Sequence, residues 1–227
     1  MNRDSNIYTI VYASVMVILV AVVLAFTSES LRSYQKKNED NDKRQQILRS
    51  INVQATADEA EAKYNELIKD AYMVNEKGDK VDGDAFAADV VKAFAENTYP
   101  VFEANVEGQT KYIMALEGAG LWGPLWGYIS LDSDKNTVYG ADFSHAGETP
   151  GLGAEITAKS FSGQFSGKKI FMNNEFKSIA VVKPGKSAVG QDYVDGISGG
   201  TITSQGVDHM ISNSLRGYVN FLTSNNQ

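Results

Sequence analysis

Asp195-Gly196-Ile197-Ser198-Gly199-Gly200-Thr201-Ile202-Thr203-Ser204 is the stretch around which the chain is organised. Three glycines and four hydroxyl residues fall within it, and an amphipathic run follows at once. Val207, Met210, Ile211, Leu215, Tyr218, Val219 and Leu222 share one face of an α-helix. Thr203 or Ser204 is the expected N-cap, because a hydroxyl there can satisfy a first-turn N–H. A glycine-rich turn that feeds a helix start offers free amides and the positive end of the helix dipole, which suits a phosphate. The lysine of a nucleotide P-loop is missing, so the phosphate would belong to another kind of ligand.

Composition narrows the choice. The 227 residues carry a net charge of −7, are 43% hydrophobic and 22% charged, and contain no cysteine. That balance fits a folded domain and argues against nucleic acid, since no basic stripe is available to neutralise phosphates. Cysteine-ligated iron–sulfur clusters and c-type haem are excluded, and His145 and His209 alone make a zinc or haem site improbable. Electrons, if this chain moves them, need an organic carrier.

Ile7 to Phe26 contains no charged residue and is long enough to cross a bilayer as a helix. Tyr8 and Tyr12 lie near one end, at a depth that aromatic rings favour. Ala25-Phe26-Thr27 is a poor cleavage site, so a retained anchor is expected rather than a signal peptide. Basic residues cluster after the span (Arg32, Lys36, Lys37, Lys43, Arg44), which by counting puts the C-terminal side in the cytoplasm. Glu29 to Ile51 reads as a polar helical stalk with sparse apolar residues, solvated or packed on another protein chain.

Thr56 can cap a helix with apolar positions Ala60, Tyr64, Leu67, Ile68 and Ala71, and Phe86, Val90, Val91 and Phe94 form a second helical stripe after Asp84. Strands are expected from Val101, with turns at Glu107-Gly108, Asp132–Asn136 and Asn173-Asn174, and a helix around Ala154–Phe161. The fold class is therefore α+β: one N-terminal transmembrane helix, then a mostly antiparallel sheet flanked by helices. The expected segments are an anchor over 1–28, a stalk over 29–53 and a globular domain over 54–227.

Two further motifs lie between. Gly120-Leu121-Trp122-Gly123-Pro124-Leu125-Trp126-Gly127-Tyr128 packs aromatics into a loop that could cover a sheet edge or lie beside a planar cofactor. Glu148-Thr149-Pro150-Gly151-Leu152-Gly153 could be a plain surface loop leading into a helix. Taken jointly with Asp-Gly-Ile-Ser-Gly-Gly-Thr, they resemble the FMN-binding domain shared by two membrane redox complexes. These are the sodium-translocating NADH:quinone oxidoreductase, in its C subunit, and the Rnf complex, in its G subunit. The aromatic loop resembles the former. Gly200 stands where this family usually has alanine.

The resemblance implies FMN linked by a flavin transferase, through its phosphate, to Thr201, with Ser198, Gly199, Gly200 and Thr203 around it. It brings Glu148, Thr149, Gly151 and Leu152 toward the isoalloxazine, Trp122 to its rim, and Lys183 near the ring or its tail. It further implies a component of a bacterial inner-membrane, sodium-translocating, quinone-reducing complex, with the flavin domain on the periplasmic face. Its partners would include an iron–sulfur donor and a flavin-bearing acceptor in the same complex. No Gly-x-Gly-x-x-Gly follows a strand, so NADH would react elsewhere. Two other readings stand beside it. Gly196-Ile197-Ser198-Gly199-Gly200 matches a nucleophile elbow, making Ser198 a hydrolase nucleophile, although His209 follows too soon. The third is a membrane-anchored assembly module without a cofactor.

Overall fold

A computed structural model describes residues 6–224. By compactness the chain divides between Asp42 and Lys43. The helix α1, Asn6–Ser50, runs through that division. Its apolar part has a mean hydropathy of 2.7 over the best window, and none of that window is buried within the protein. It is long and apolar enough to cross a membrane. The polar turns that follow carry an (i, i+4) ion pair, Lys36–Asp40 at 2.9 Å.

The second unit begins with the last two turns of α1. Ile47, Leu48 and Ile51 have no solvent exposure and pack with Met73, Phe102, Ile113 and Tyr128. The end of the expected stalk is therefore part of the globular core, and the compact unit starts earlier than residue 54. Arg49 holds Asp142 through two 2.9 Å hydrogen bonds, Nε to Oδ1 and Nη2 to Oδ2.

The remaining elements follow in order: α2 (Ala60–Leu67), β1 (Ile68–Asn75), β2 (Lys80–Val81), α3 (Val90–Ala95), β3 (Thr98–Val106), β4 (Gln109–Ala119), β5 (Pro124–Leu131) and β6 (Val138–His145). Then come α4 (Lys159–Ser162), β7 (Phe171–Met172), β8 (Glu175–Phe176), β9 (Ile179–Val182), β10 (Asp192–Asp195) and α5 (Thr201–Thr223). The main sheet has the order β2-β1-β3-β4-β5-β6, antiparallel throughout. β9 and β10 form a separate parallel pair.

Strand alternation divides the core into two layers. On β4, Ile113 and Ala115 join the layer with the end of α1, while Met114 and Leu116 join the layer under α5. The apolar face of α5 is buried as its spacing requires, with Val207, Ile211, Leu215 and Tyr218 at 0% exposure. The α+β architecture expected from the sequence is the one observed.

Three local expectations are corrected. Phe86 lies in a turn ahead of α3 and not on the helix that carries Val90, Val91 and Phe94. The helix expected to be capped by Thr56 begins only at Ala60, with Glu59 as its N-cap, and stops at Leu67; Ile68 and Ala71 lie on β1, paired with Ala104 and Phe102 of β3. Strand pairing there overrides a helix-compatible spacing, because the edge of a buried sheet gains more from a partner than from local propensity. The helix expected over Ala154–Phe161 is a 3-10 turn, Gly153–Thr157, followed by the single turn of α4. The expected turns occur where predicted, with Glu107, Gly108, Asn173 and Asn174 all at positive φ.

Candidate cofactor site

The glycine-rich stretch leaves β10 and is held at once. Gly196 N–H donates to Val182 O at 2.7 Å. Ile197 to Gly200 then form a turn closed by Gly200 N–H to Ile197 O at 3.0 Å. Gly199, third in that turn, has φ +78°, a conformation that glycine adopts without strain. A Cβ on it would also meet Leu152 Cδ2 at 2.7 Å.

The helix α5 starts at Thr201, earlier than the hydroxyl caps Thr203 and Ser204 would place it. Gly200 is the N-cap and supplies no side-chain hydrogen bond. The first-turn amides of α5 are therefore left for an external acceptor, beside the positive end of a long helix.

The early start sorts the four hydroxyls. Thr203 and Ser204 fall on the buried side of the helix, at 2% and 5% exposure. Ser204 Oγ accepts from Ile197 N–H at 2.8 Å, and Thr203 Oγ1 donates to Glu148 Oε2 at 2.5 Å. Ser198 and Thr201 are exposed.

Thr201 and Gly199 separate two clefts. The first, about 340 Å³, is lined by Lys183, Ile197, Ser198, Ser204 and Gln205. The second, about 210 Å³, is lined by Leu121, Glu148, Thr149, Leu152 and Ile202. Thr203 and Gly200 contribute to the second. The fold thus brings nine of the expected site residues to one place: Thr201, Ser198, Gly199, Gly200, Thr203, Glu148, Thr149, Leu152 and Lys183.

Two expected residues stand apart from both clefts. Trp122 has a 67% exposed side chain, and it is its backbone N–H that reaches the site, donating to Glu148 Oε1 at 2.9 Å. Gly151, at φ +74°, shapes the loop and donates its N–H to Glu155 Oε1 at 3.1 Å. Lys183 directly follows β9, one strand ahead of the glycine-rich stretch.

Glu148 is 4% exposed. Burial by itself would raise its pKa; hydrogen bonds from the Thr203 hydroxyl and the Trp122 and Leu121 amides outweigh that, and the carboxyl sits below its ordinary value. Its space is made by two glycines. A Cβ on Gly120 would collide with Glu148 Oε1, and one on Gly153 would collide with Thr203 Oγ1 and lie 2.6 Å from Glu148 Oε2. Sequence reading missed both of these roles and that of Ser204, because the contacts are tertiary and no local pattern encodes them. The hydrolase reading gains no support: among the described residues no hydrogen bond joins Ser198 to a histidine. His145 Nδ1 accepts from Glu148 N–H at 3.1 Å, and His209 is exposed on α5.

A glycine turn, an uncapped helix start, an exposed threonine and a lysine at the cleft form a fitting set for a phosphate that bears a larger planar group. Residues 120–216, which contain the whole site, match the FMN-binding domain family. The chain is 33% identical to the C subunit of the Na(+)-translocating NADH-quinone reductase of Vibrio anguillarum, over 92% of this chain and 89% of that one. It is 30% identical to the corresponding C subunit of Vibrio vulnificus, over 85% and 84%. The crystal structure of the C subunit from Parabacteroides distasonis is 77% identical and superposes with a TM-score of 0.85, covering 86% of this chain and 98% of that one. Shewanella oneidensis NqrC, at 25% identity, gives 0.68 over 81% and 96%. The chain belongs to the C-subunit family of the Na(+)-translocating NADH-quinone reductase, as an FMN-binding component of an oxidoreductase complex.

Proposed function

We propose that this chain is an electron relay that carries FMN as a phosphoester on Thr201. The observation that carries the reading is the position of Thr201: exposed, first in α5, beside an uncapped helix terminus and between two clefts. Thr203 and Ser204 are buried and hydrogen-bonded, which leaves Ser198 as the competing hydroxyl. FMN, when bound, supplies reversible electron chemistry, and a covalent tail keeps it in place through every change of ring charge.

Attachment would join Thr201 Oγ1 to the phosphorus of an activated flavin nucleotide. The donor's phosphoanhydride would break, its nucleotide half would leave, and the hydroxyl proton would pass to a base of the flavin transferase. This chain's part would be to hold the acceptor: Gly199 and Gly200 would admit the phosphate, the α5 amides would take its charge, and Lys183 would add a positive charge at the first cleft. Glu148, Thr149, Leu152 and, at the rim, Trp122 would flank the ring.

The chain is anchored by Ile7–Phe26 in the bacterial inner membrane with its flavin domain on the periplasmic side. It takes electrons from an iron–sulfur protein of the complex and passes them to a further flavoprotein, while NADH reacts elsewhere in the assembly. The unit from Lys43 onward folds independently.

Intact-mass and peptide mapping test the site. Thr201→Ala should lose the FMN mass increment with the fold retained, and Ser198→Ala should keep it. A label on Ser198, or one that survives in Thr201→Ala, refutes the assignment. Protease added to spheroplasts should clip the domain after Phe26; protection there, with cleavage only in inverted vesicles, refutes the orientation.

A further inference from the structure

We propose that Glu148 is a charged positioning residue of the flavin site: its buried carboxylate ties its own loop to the β4–β5 loop and to the first turn of α5, and keeps a negative charge in the wall of the second cleft. The inference rests on the reading that Thr201 carries the flavin.

The geometry is a three-way junction. Oε1 receives the Trp122 N–H from the β4–β5 loop at 2.9 Å, and Oε2 receives the Thr203 hydroxyl from the first turn of α5 at 2.5 Å. The residue's own N–H, on the loop after β6, donates to His145 Nδ1 at 3.1 Å. These are the segments that line the second cleft. Thr203 lies half a turn past Thr201, so fixing it fixes the place of the Thr201 backbone and of the first-turn amides. Gly120 and Gly153 are the residues whose missing side chains leave room for the carboxylate. Hydrogen bonds to a charged acceptor are the strong ones, so this junction outweighs an ordinary loop contact.

The charge has its own consequence. No ion pair within 4 Å among the described residues involves Glu148; its carboxylate is stabilised mainly by hydrogen-bond dipoles, with a smaller attraction from His145. The residue touches the second cleft, while Lys183, of opposite sign, touches the first. A fixed negative charge beside a group that gains electrons opposes their arrival. Glu148 therefore holds the flavin potential below the value a neutral residue would give.

The experiment uses the full chain co-expressed with a flavin transferase, as wild type, Glu148→Gln, Glu148→Ala and Thr201→Ala. The glutamine can still accept from Trp122 N–H and can donate to the Thr203 hydroxyl. The flavin-loaded fraction of Glu148→Gln should show a raised midpoint potential. Glu148→Ala should load several-fold less, and hydrogen exchange at the Trp122 amide and the first turn of α5 should accelerate tenfold or more. An unchanged potential in Glu148→Gln overturns the role of the charge. Wild-type loading and exchange in Glu148→Ala overturn the role of the junction. Should Glu148→Ala fail to fold, the Glu148→Gln potential decides. Thr201→Ala separates the two readings: a covalent label that survives in it refutes the attachment site, independently of how the Glu148 variants behave.

Discussion

Gly153→Ala is the substitution whose cost the structure specifies most closely. The new Cβ would collide with Thr203 Oγ1 and sit 2.6 Å from Glu148 Oε2 and 3.0 Å from Thr203 Cβ. None of these atoms can swing away freely. Glu148 is held from its other side by Trp122 N–H, and Thr203 Cβ is one bond from the helix backbone. Thr203 and Glu148 must therefore part, losing a hydrogen bond to a charged acceptor worth about 1.5–3 kcal/mol. Overpacking adds about 1–3 kcal/mol where the site cannot relax. Alanine's smaller unfolded-state entropy returns about 0.4–1 kcal/mol. The net cost is about 3 kcal/mol, which for a domain of this size lowers Tm by roughly 6–12 °C.

The assay is a thermal melt of the full chain in detergent, followed by tryptophan fluorescence, with flavin loading measured by mass. Trp122 and Trp126 are the two tryptophans, and Trp122 borders the perturbed junction. Gly163→Ala is the control: a Cβ there has nothing within 4 Å, so its Tm should stay at or slightly above wild type. A Gly153→Ala protein that melts within about 2 °C of wild type and loads flavin fully would refute the packing argument.

Glu148 and Asp142 should give opposite pH signatures. The Glu148 pKa lies below its ordinary 4.5, so its stabilisation is present above that value and lost as pH falls through the folded pKa. The Tm gap between wild type and Glu148→Gln should narrow on acidification, and a gap independent of pH would count against the assignment. Asp142 runs the other way. Burial outweighs its Arg49 partner and raises its pKa above 3.8, so its contribution declines as pH rises past that value, and Asp142→Asn should remove the decline. Arg49→Ala leaves a carboxylate that is 8% exposed without its partner and should cost about 1–3 kcal/mol in denaturant melts, tempered because Arg49 is 36% exposed. Leu215→Ala, at 0% exposure under the sheet, should cost about 2–5 kcal/mol while leaving the flavin attached, and a loss below 1 kcal/mol would contradict its core position.

Features that rest on local chemistry or on spacing were legible in the linear chain. The uncharged run Ile7–Phe26, the period of α5, the turns at Glu107-Gly108 and Asn173-Asn174, and the motif residues around Thr201 are of this kind. Each follows from interactions within a few residues, so a linear reading can reach it. Folding settled whatever depends on a distant partner. Ile68–Asn75 became a strand because β3 lies beside it, and Ile47, Leu48 and Ile51 became core because the sheet covers them. The four hydroxyls of the glycine-rich stretch look equivalent in sequence. Glu148, 55 positions away from Thr203, takes up one of them and the Ile197 amide takes up another. Thr201 stays exposed because a helix that starts at residue 201 turns 203 and 204 inward. Space at Gly120 and Gly153 is likewise set by a carboxylate that reaches them only in the folded chain. Hydrogen bonds and excluded volume act across space, and their partners are fixed only once the strands and helices have been brought together.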